Sequence, residues 1–142
     1  MTLILAGGRL IDGTGADPTS KTSLAIEGDR ISAISSAAPP RDSKTIDCSG
    51  LTLLPGLIDA HAHLGLVFDF DADPGVMSPA EIAAKTFRNC ELCLEAGFTT
   101  VRDMCGVDGG LVRAIESGLV PGPRVFPSGP AIVQTGGHGH LT

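Results

Sequence analysis

Two histidines separated by one small residue are the side chains in this sequence best suited to chemistry. His61 and His63 end the stretch 53–64, which reads LLPGLIDAHAHL. Alternate side chains of a β-strand point to the same face, so both imidazoles would lie side by side, with Ala62 on the opposite face. Imidazole is a common ligand of zinc and other first-row metals. The pair is therefore either part of a metal site or a chance feature of a polar strand end.

Asp59 precedes the pair by two residues. On a regular strand it would share the face of the histidines, where its carboxylate could accept a hydrogen bond from an imidazole N–H and orient that ring. Catalytic zinc usually has three protein ligands, so two histidines are an incomplete set. We therefore expect further ligands from other parts of the protein, with Asp59 in a supporting position behind the metal ligands.

The residues before this stretch have the pattern of a small antiparallel β unit. Segments 23–27 and 30–34 flank Gly28 and Asp29, a link suited to a tight hairpin in which glycine supplies a positive φ. Two more short strands are predicted at 44–47 and 51–54. The glycines near the start do not have the spacing G-x-G-x-x-G, and no helical pattern follows them, so we expect turns there and no phosphate-binding loop.

The residues after the histidine pair have the pattern of a βαβ unit. Ser78, Pro79 and Glu81 are a helix start signal, and the apolar residues that follow keep helical spacing as far as Gly97. The remaining predicted elements are a strand at 98–103, a helix at 111–117 and a strand at 124–128. Strands joined through helices by short links are predicted to be parallel.

The segment PGLIDAHAHL resembles the first barrel strand of the amidohydrolase superfamily, in its prolidase-like or imidazolonepropionase-like branch. Members are metal-dependent hydrolases with a (β/α)₈ barrel beside a small β-sandwich. The resemblance implies an α/β chain in which residues 1–54 belong to the β-sandwich and residues 55–142 form the first three strands and two helices of the TIM barrel. A complete barrel has about 250 residues, so we expect an N-terminal portion of a longer enzyme.

The resemblance also implies a reaction. A divalent metal, zinc above all, in one or two copies, would activate water for hydrolysis of an amide or peptide-like C–N bond in a small molecule. His61 and His63 would hold the more buried metal ion. The bridging lysine and the general-base aspartate of binuclear members are expected beyond Thr142, so the 142-residue chain alone is expected to have little activity.

The chain ends in the glycine-rich segment GGHGH, which contains His138 and His140. Segments after the C-terminal ends of barrel strands build the active-site face, so these histidines should share a rim with the first pair. Similarity to prolidase-like and ochratoxin-hydrolase-like members implies contact with substrate; the alternative is a solvent-exposed glycine loop. The ending favours an Xaa-Pro dipeptidase or an aminoacylase. A cyclic amidase, a deaminase and a non-catalytic relative that serves in assembly remain open.

Two further groups of residues have weaker signals. Arg102 and Asp103, at the end of the second predicted barrel strand, are candidates for the rim, but we favour a structural role. Cys90 and Cys93 have the spacing C-x-x-C, yet they lie deep within the predicted helix rather than at its N-terminus, where a redox pair usually lies. We therefore expect buried packing rather than a zinc or redox site. Alternating aspartates at 69–73 are expected in a solvated loop.

Composition argues against several classes of partner. The net charge of −6 argues against nucleic acid and anionic membranes, both of which bind clustered Lys and Arg. No segment approaches the ~18 consecutive apolar residues of a membrane span, and the first residues lack a signal peptide pattern. We therefore expect a cytoplasmic protein with a small-molecule substrate, and a homo-oligomer in its full-length form.

Overall fold

The computed structural model describes residues 2–67 and 77–137. The chain divides into two compact units, Met1–Pro55 and Gly56–Thr142. The predicted aspartate loop at 69–73 lies outside the described residues.

The first unit is a mixed sheet of five strands. They are β1 (Thr2–Leu10), β2 (Thr19–Glu27), β3 (Arg30–Ser35), β4 (Lys44–Asp47) and β5 (Thr52–Leu53). The predicted hairpin is confirmed, since β2 and β3 are antiparallel and Gly28 between them has a φ of 62°, as the first position of a type II′ turn requires. Its core contains the buried side chains of Ile4, Leu10, Leu24 and Cys48.

The prediction of an entirely antiparallel unit is wrong for the last two strands. β1 is antiparallel to β2, but both β4 and β5 pair with β1 in parallel. A tight hairpin places consecutive strands side by side and antiparallel, whereas β4 lies across the sheet from β3, in the order β3-β2-β1-β4. The chain therefore crosses the sheet after β3 and enters β4 in the same direction as β1.

The second unit is a parallel sheet with two helices. Its elements are β6 (Leu57–Ala62), α1 (Pro79–Glu95), β7 (Phe98–Asp103), α2 (Gly109–Glu116) and β8 (Arg124–Pro127). The strands follow the order β6-β7-β8, and both pairs are parallel. The predicted α/β fold class, with three barrel-type strands and two helices after a β unit, is confirmed for the described residues.

Helix α1 begins and ends where its local signals place it. The Ser78 hydroxyl accepts a hydrogen bond from the N–H of Glu81 at 3.2 Å, and Pro79 occupies the first helical position. Gly97, just beyond the helix, has a φ of 88°. Within the described residues, neither helix is long and apolar enough to cross a membrane.

The core of the second unit lies between the sheet and its helices. Cys90 of α1 and Val101 of β7 are both 0% exposed. The other buried members of this cluster are Leu64, Val107, Leu111 and Val125. The packing role predicted for Cys90 is therefore confirmed, and both it and Cys93 are free thiols. The core packs against Ala62 at the carboxyl end of β6, between the two histidines.

Candidate metal centre

The two histidines lie together at the carboxyl end of β6. Both side chains are exposed, their ring centroids are 5.2 Å apart, and their planes make an angle of 79°. Two imidazoles that bind one tetrahedral zinc ion, each through a nitrogen about 2.0–2.1 Å from it, have centroids roughly 5 Å apart. The separation of the rings of His61 and His63 is therefore close to that of two ligands of one ion. Within 2–67 and 77–137, no group of three or more His, Cys, Asp or Glu side chains could hold a metal.

The backbone of the first histidine is held locally. Asp59 Oδ1 accepts a hydrogen bond from the backbone N–H of His61 at 3.0 Å. The pairing of β6 with β7 shifts register between Asp59 and Ala62, so the regular alternation that would place Asp59 on the histidine face is interrupted here. The structure thus gives Asp59 a bond to the histidine backbone, and its orientation of an imidazole stays a prediction.

A buried carboxylate lies behind the second histidine. Asp103, the last residue of β7, is 0% exposed, and its Oδ2 accepts a hydrogen bond from the N–H of Leu64 at 2.6 Å. Its Oδ1 accepts another from the N–H of Cys105 at 3.2 Å. Burial raises the pKa of Asp103, while these backbone hydrogen bonds and the charge of His63 oppose that rise. Arg102, the preceding residue, is exposed on the other face of β7.

Two more hydrogen bonds hold the chain around His63. Asn89 of α1 donates from Nδ2 to the carbonyl of Leu64 at 2.9 Å, and the N–H of Met104 donates to the carbonyl of Ala62 at 2.9 Å. Sequence reasoning did not single out Asn89, because a polar residue within a helix is ordinarily solvated. The segment after β6 is thus tied both to α1 and to the end of β7.

The loops after β6 and β7 also touch backbone to backbone. A Cβ atom built on Gly65 would overlap the carbonyl oxygen of Gly106, which itself has a φ of 105°. Only glycine therefore permits this approach. The contact brings the segment carrying the histidine pair against the loop that follows β7.

An open cleft of about 420 Å³ lies between β6 and α1 beside the pair. His63, Asp59, Asn89 and Cys93 contribute to its lining. Burial raises the pKa of the Cys93 thiol, with the charge of Asp59 adding to the rise. The cleft lining and the hydrogen bond from the His61 N–H to Asp59 thus bring Asp59 close to both histidines of the first pair. His138 and His140 lie outside the described residues, and their contact with substrate stays a prediction.

Parallel strands alternating with helices, and a histidine pair where the first strand ends, are the arrangement that the resemblance to the barrel-type amidohydrolases implies. The comparison with known families supports this resemblance. The model of the amidohydrolase family matches residues 52–140, so this chain belongs to the amidohydrolase family.

The similar proteins include an ochratoxinase, an Xaa-Pro dipeptidase and a prolidase. An ochratoxinase from Aspergillus niger is 34% identical over an alignment of 148 positions, gaps included, that covers 99% of this chain and 30% of that protein. A crystal structure of an Xaa-Pro dipeptidase with bound methionine in the active site is 32% identical, with a TM-score of 0.85, over 99% of this chain and 36% of the other. A prolidase complexed with N-methylphosphonate-L-proline is 36% identical, with a TM-score of 0.82, over 98% and 34%.

The chain spans about a third of the length of these relatives. A dipeptidase cleaves a peptide C–N bond, which agrees with the reaction class that the resemblance implied.

Proposed function

We propose that this chain is the metal-binding N-terminal part of a hydrolase that cleaves a C–N bond in a small molecule. The observation that carries the proposal is the 5.2 Å separation of the two imidazoles at the carboxyl end of the first parallel strand. Ligands of parallel α/β folds bind at that end of the strands. Membership of the amidohydrolase family supports the same reading.

In this proposal His61 and His63 are two ligands of a divalent metal, and imidazole favours zinc. Such a metal lowers the pKa of bound water towards ~7 and polarises the scissile carbonyl. The protein holds the histidine backbones in advance, through Asp59 for the first and Asp103 for the segment after the second. The backbone that carries the imidazoles therefore loses less conformational freedom when they bind.

For the substrate we propose an Xaa-Pro dipeptide or an N-acyl amino acid. The similarity to the Xaa-Pro dipeptidase and the prolidase, each about a third identical over nearly the whole chain, supports this choice. His138 and His140 are proposed to contact the substrate. The remaining metal ligands and the general base are proposed to come from sequence beyond Thr142, because the relatives are about three times as long.

The test uses the full-length protein that carries this chain, with His61→Ala and His63→Ala combined. We expect bound metal, measured by mass spectrometry after dialysis, to fall sharply, and hydrolysis of Xaa-Pro dipeptides and N-acyl amino acids to be lost. The matched control, His138→Ala combined with His140→Ala, should keep its metal and lose affinity for substrate. Unchanged metal content in the first variant would contradict the ligand assignment. Turnover of cyclic amides alone would contradict the substrate class.

A further inference from the structure

We propose that Asn89 is a positioning residue for His63, acting with Asp103 through the backbone of Leu64. The proposal rests on the metal-binding role proposed for His63. Neither Asn89 nor Asp103 needs to touch the metal or the substrate. Their task is to fix the direction in which the imidazole of His63 leaves the backbone.

The geometry around His63 constrains both of its backbone dihedrals. A peptide group is planar, so the bond from Leu64 N–H to Asp103 also fixes the carbonyl of His63, and with it the rotation on the carboxyl side of His63. On the amino side, the carbonyl of Ala62 is held by the N–H of Met104. The Cα–Cβ bond of His63 therefore has a defined direction.

Asn89 holds the next peptide group in the same way. Its Nδ2 donates to the carbonyl of Leu64 at 2.9 Å, whereas Asp103 accepts from the N–H of the same residue. Leu64 is only 3% exposed, so water is poorly placed to replace a lost bond to its carbonyl. Without Asn89 this peptide group would lose the hydrogen bond that holds its carbonyl, and we expect the bond to Asp103 to weaken with it.

These side chains are needed because the sheet does not hold this part of the chain. β6 ends at Ala62, so His63 lies beyond the last residue of the strand. Asn89, by contrast, precedes Cys90, which is 0% exposed in the core, so its helix is firmly anchored. The amide thus transfers the rigidity of α1 to a histidine outside the strand ladder. Groups that hydrogen-bond a metal ligand directly commonly change metal affinity about 10- to 100-fold when lost, and Asn89 acts one residue further away.

The test compares Asn89→Leu, which removes the amide at similar size, with Asn89→Gln, which keeps an amide donor. Thr86→Val is the matched control, because it removes a hydrogen bond within the same helix, from Thr86 Oγ1 to the Ile82 carbonyl at 2.8 Å, rather than one to Leu64. The readouts are the NMR signal of the His63 ring in histidine-labelled full-length protein, identified with His63→Ala, and the Kd for Zn²⁺ by calorimetry.

We expect Asn89→Leu to shift or broaden the His63 signal and to weaken Zn²⁺ binding about ten-fold, the lower end of that range. Asn89→Gln should have a smaller effect, and Thr86→Val should leave both readouts unchanged. An unchanged His63 signal in Asn89→Leu overturns the inference, and so does an equal change in Thr86→Val. A wild-type protein that binds no Zn²⁺, but whose His63 signal moves in Asn89→Leu, overturns the proposed metal site and leaves the positioning role standing.

Discussion

The four cysteines of the chain differ in how deeply they are buried. Cys90 is 0% exposed, and burial raises the pKa of its thiol to about 11. Cys93, less than one turn later, is half-buried, and burial raises its pKa as well. The thiolate is the reactive form of cysteine, so this C-x-x-C spacing does not produce a reactive pair. Packing against the core explains both residues.

Alkylation should separate the thiols by their environment. At about pH 8, where an ordinary thiol is partly ionised, we expect iodoacetamide to modify half-buried Cys105 well before Cys90 in the native protein. Peptide mapping by mass spectrometry measures both rates. The two should become similar in concentrated guanidinium chloride, which serves as the control. Equal rates in the native protein would contradict the burial of Cys90.

Two aspartates show what the sequence could reveal at the residue scale. Asp59 bonds to the backbone N–H two residues further along, a local pattern typical of aspartate. Asp103 bonds to Leu64, which is remote in sequence and is brought close only by the pairing of β6 with β7. The spacing of His61 and His63 could predict the ligand pair. It could not predict the hydrogen bonds that hold the second histidine.

At the scale of elements, the sequence predicted helix ends correctly from nearby residues, but it did not predict the direction of a strand whose partner is distant in sequence. The start of α1 depends on Ser78 and Pro79, and its end on Gly97, all within one turn of the boundary. The direction of β4 depends instead on where its partner β1 lies, and no residue near Lys44–Asp47 encodes that. The hairpin at Gly28 was predictable because a two-residue link favours turns with a positive φ at their first central position, which glycine adopts readily.

The glycine contact between the loops after β6 and β7 gives a prediction for these elements. Gly65→Ala would push a methyl group into the backbone of Gly106, and overpacking of this kind typically costs about 1–3 kcal/mol. We expect a loss of that size in the free energy of unfolding, measured with urea. Gly109→Ala is the control, because its nearest neighbour is the flexible end of Arg113, 3.3 Å away. Equal stability of the two variants would show that the loops separate easily.

At the scale of the whole molecule, the parallel sheet of the second unit is covered on one face. Val101 and Val125 pack beneath the helices, whereas Ile58 is 70% exposed and Phe126 56% exposed on the opposite face. Strand register places these two on the same side, through Thr100 and Arg102 of β7 between them. Parallel sheets are almost always covered on both faces. The open face therefore leaves the apolar side chains of Ile58 and Phe126 exposed in the 142-residue chain.

We expect this face to bind a hydrophobic dye. The 142-residue chain should increase the fluorescence of anilinonaphthalene sulfonate, and Ile58→Thr combined with Phe126→Thr should reduce the signal by more than half, because most of the exposed apolar area of the sheet is then lost. Leu119→Thr is the control: this residue is 77% exposed but lies in the loop after α2. Equal effects of the two variants would mean that the dye does not bind at the sheet.

The hydrogen bond from the Leu64 N–H to Asp103 also makes this amide proton a probe of local opening in hydrogen-exchange measurements. Leu64 lies outside every strand and helix, where backbone protons ordinarily exchange with deuterium quickly, yet its N–H points at a carboxylate that is 0% exposed. Exchange there requires the segment after β6 to leave its place between α1 and β7. The protection factor of this single proton therefore measures the free energy needed to detach the segment next to His63 from α1 and β7.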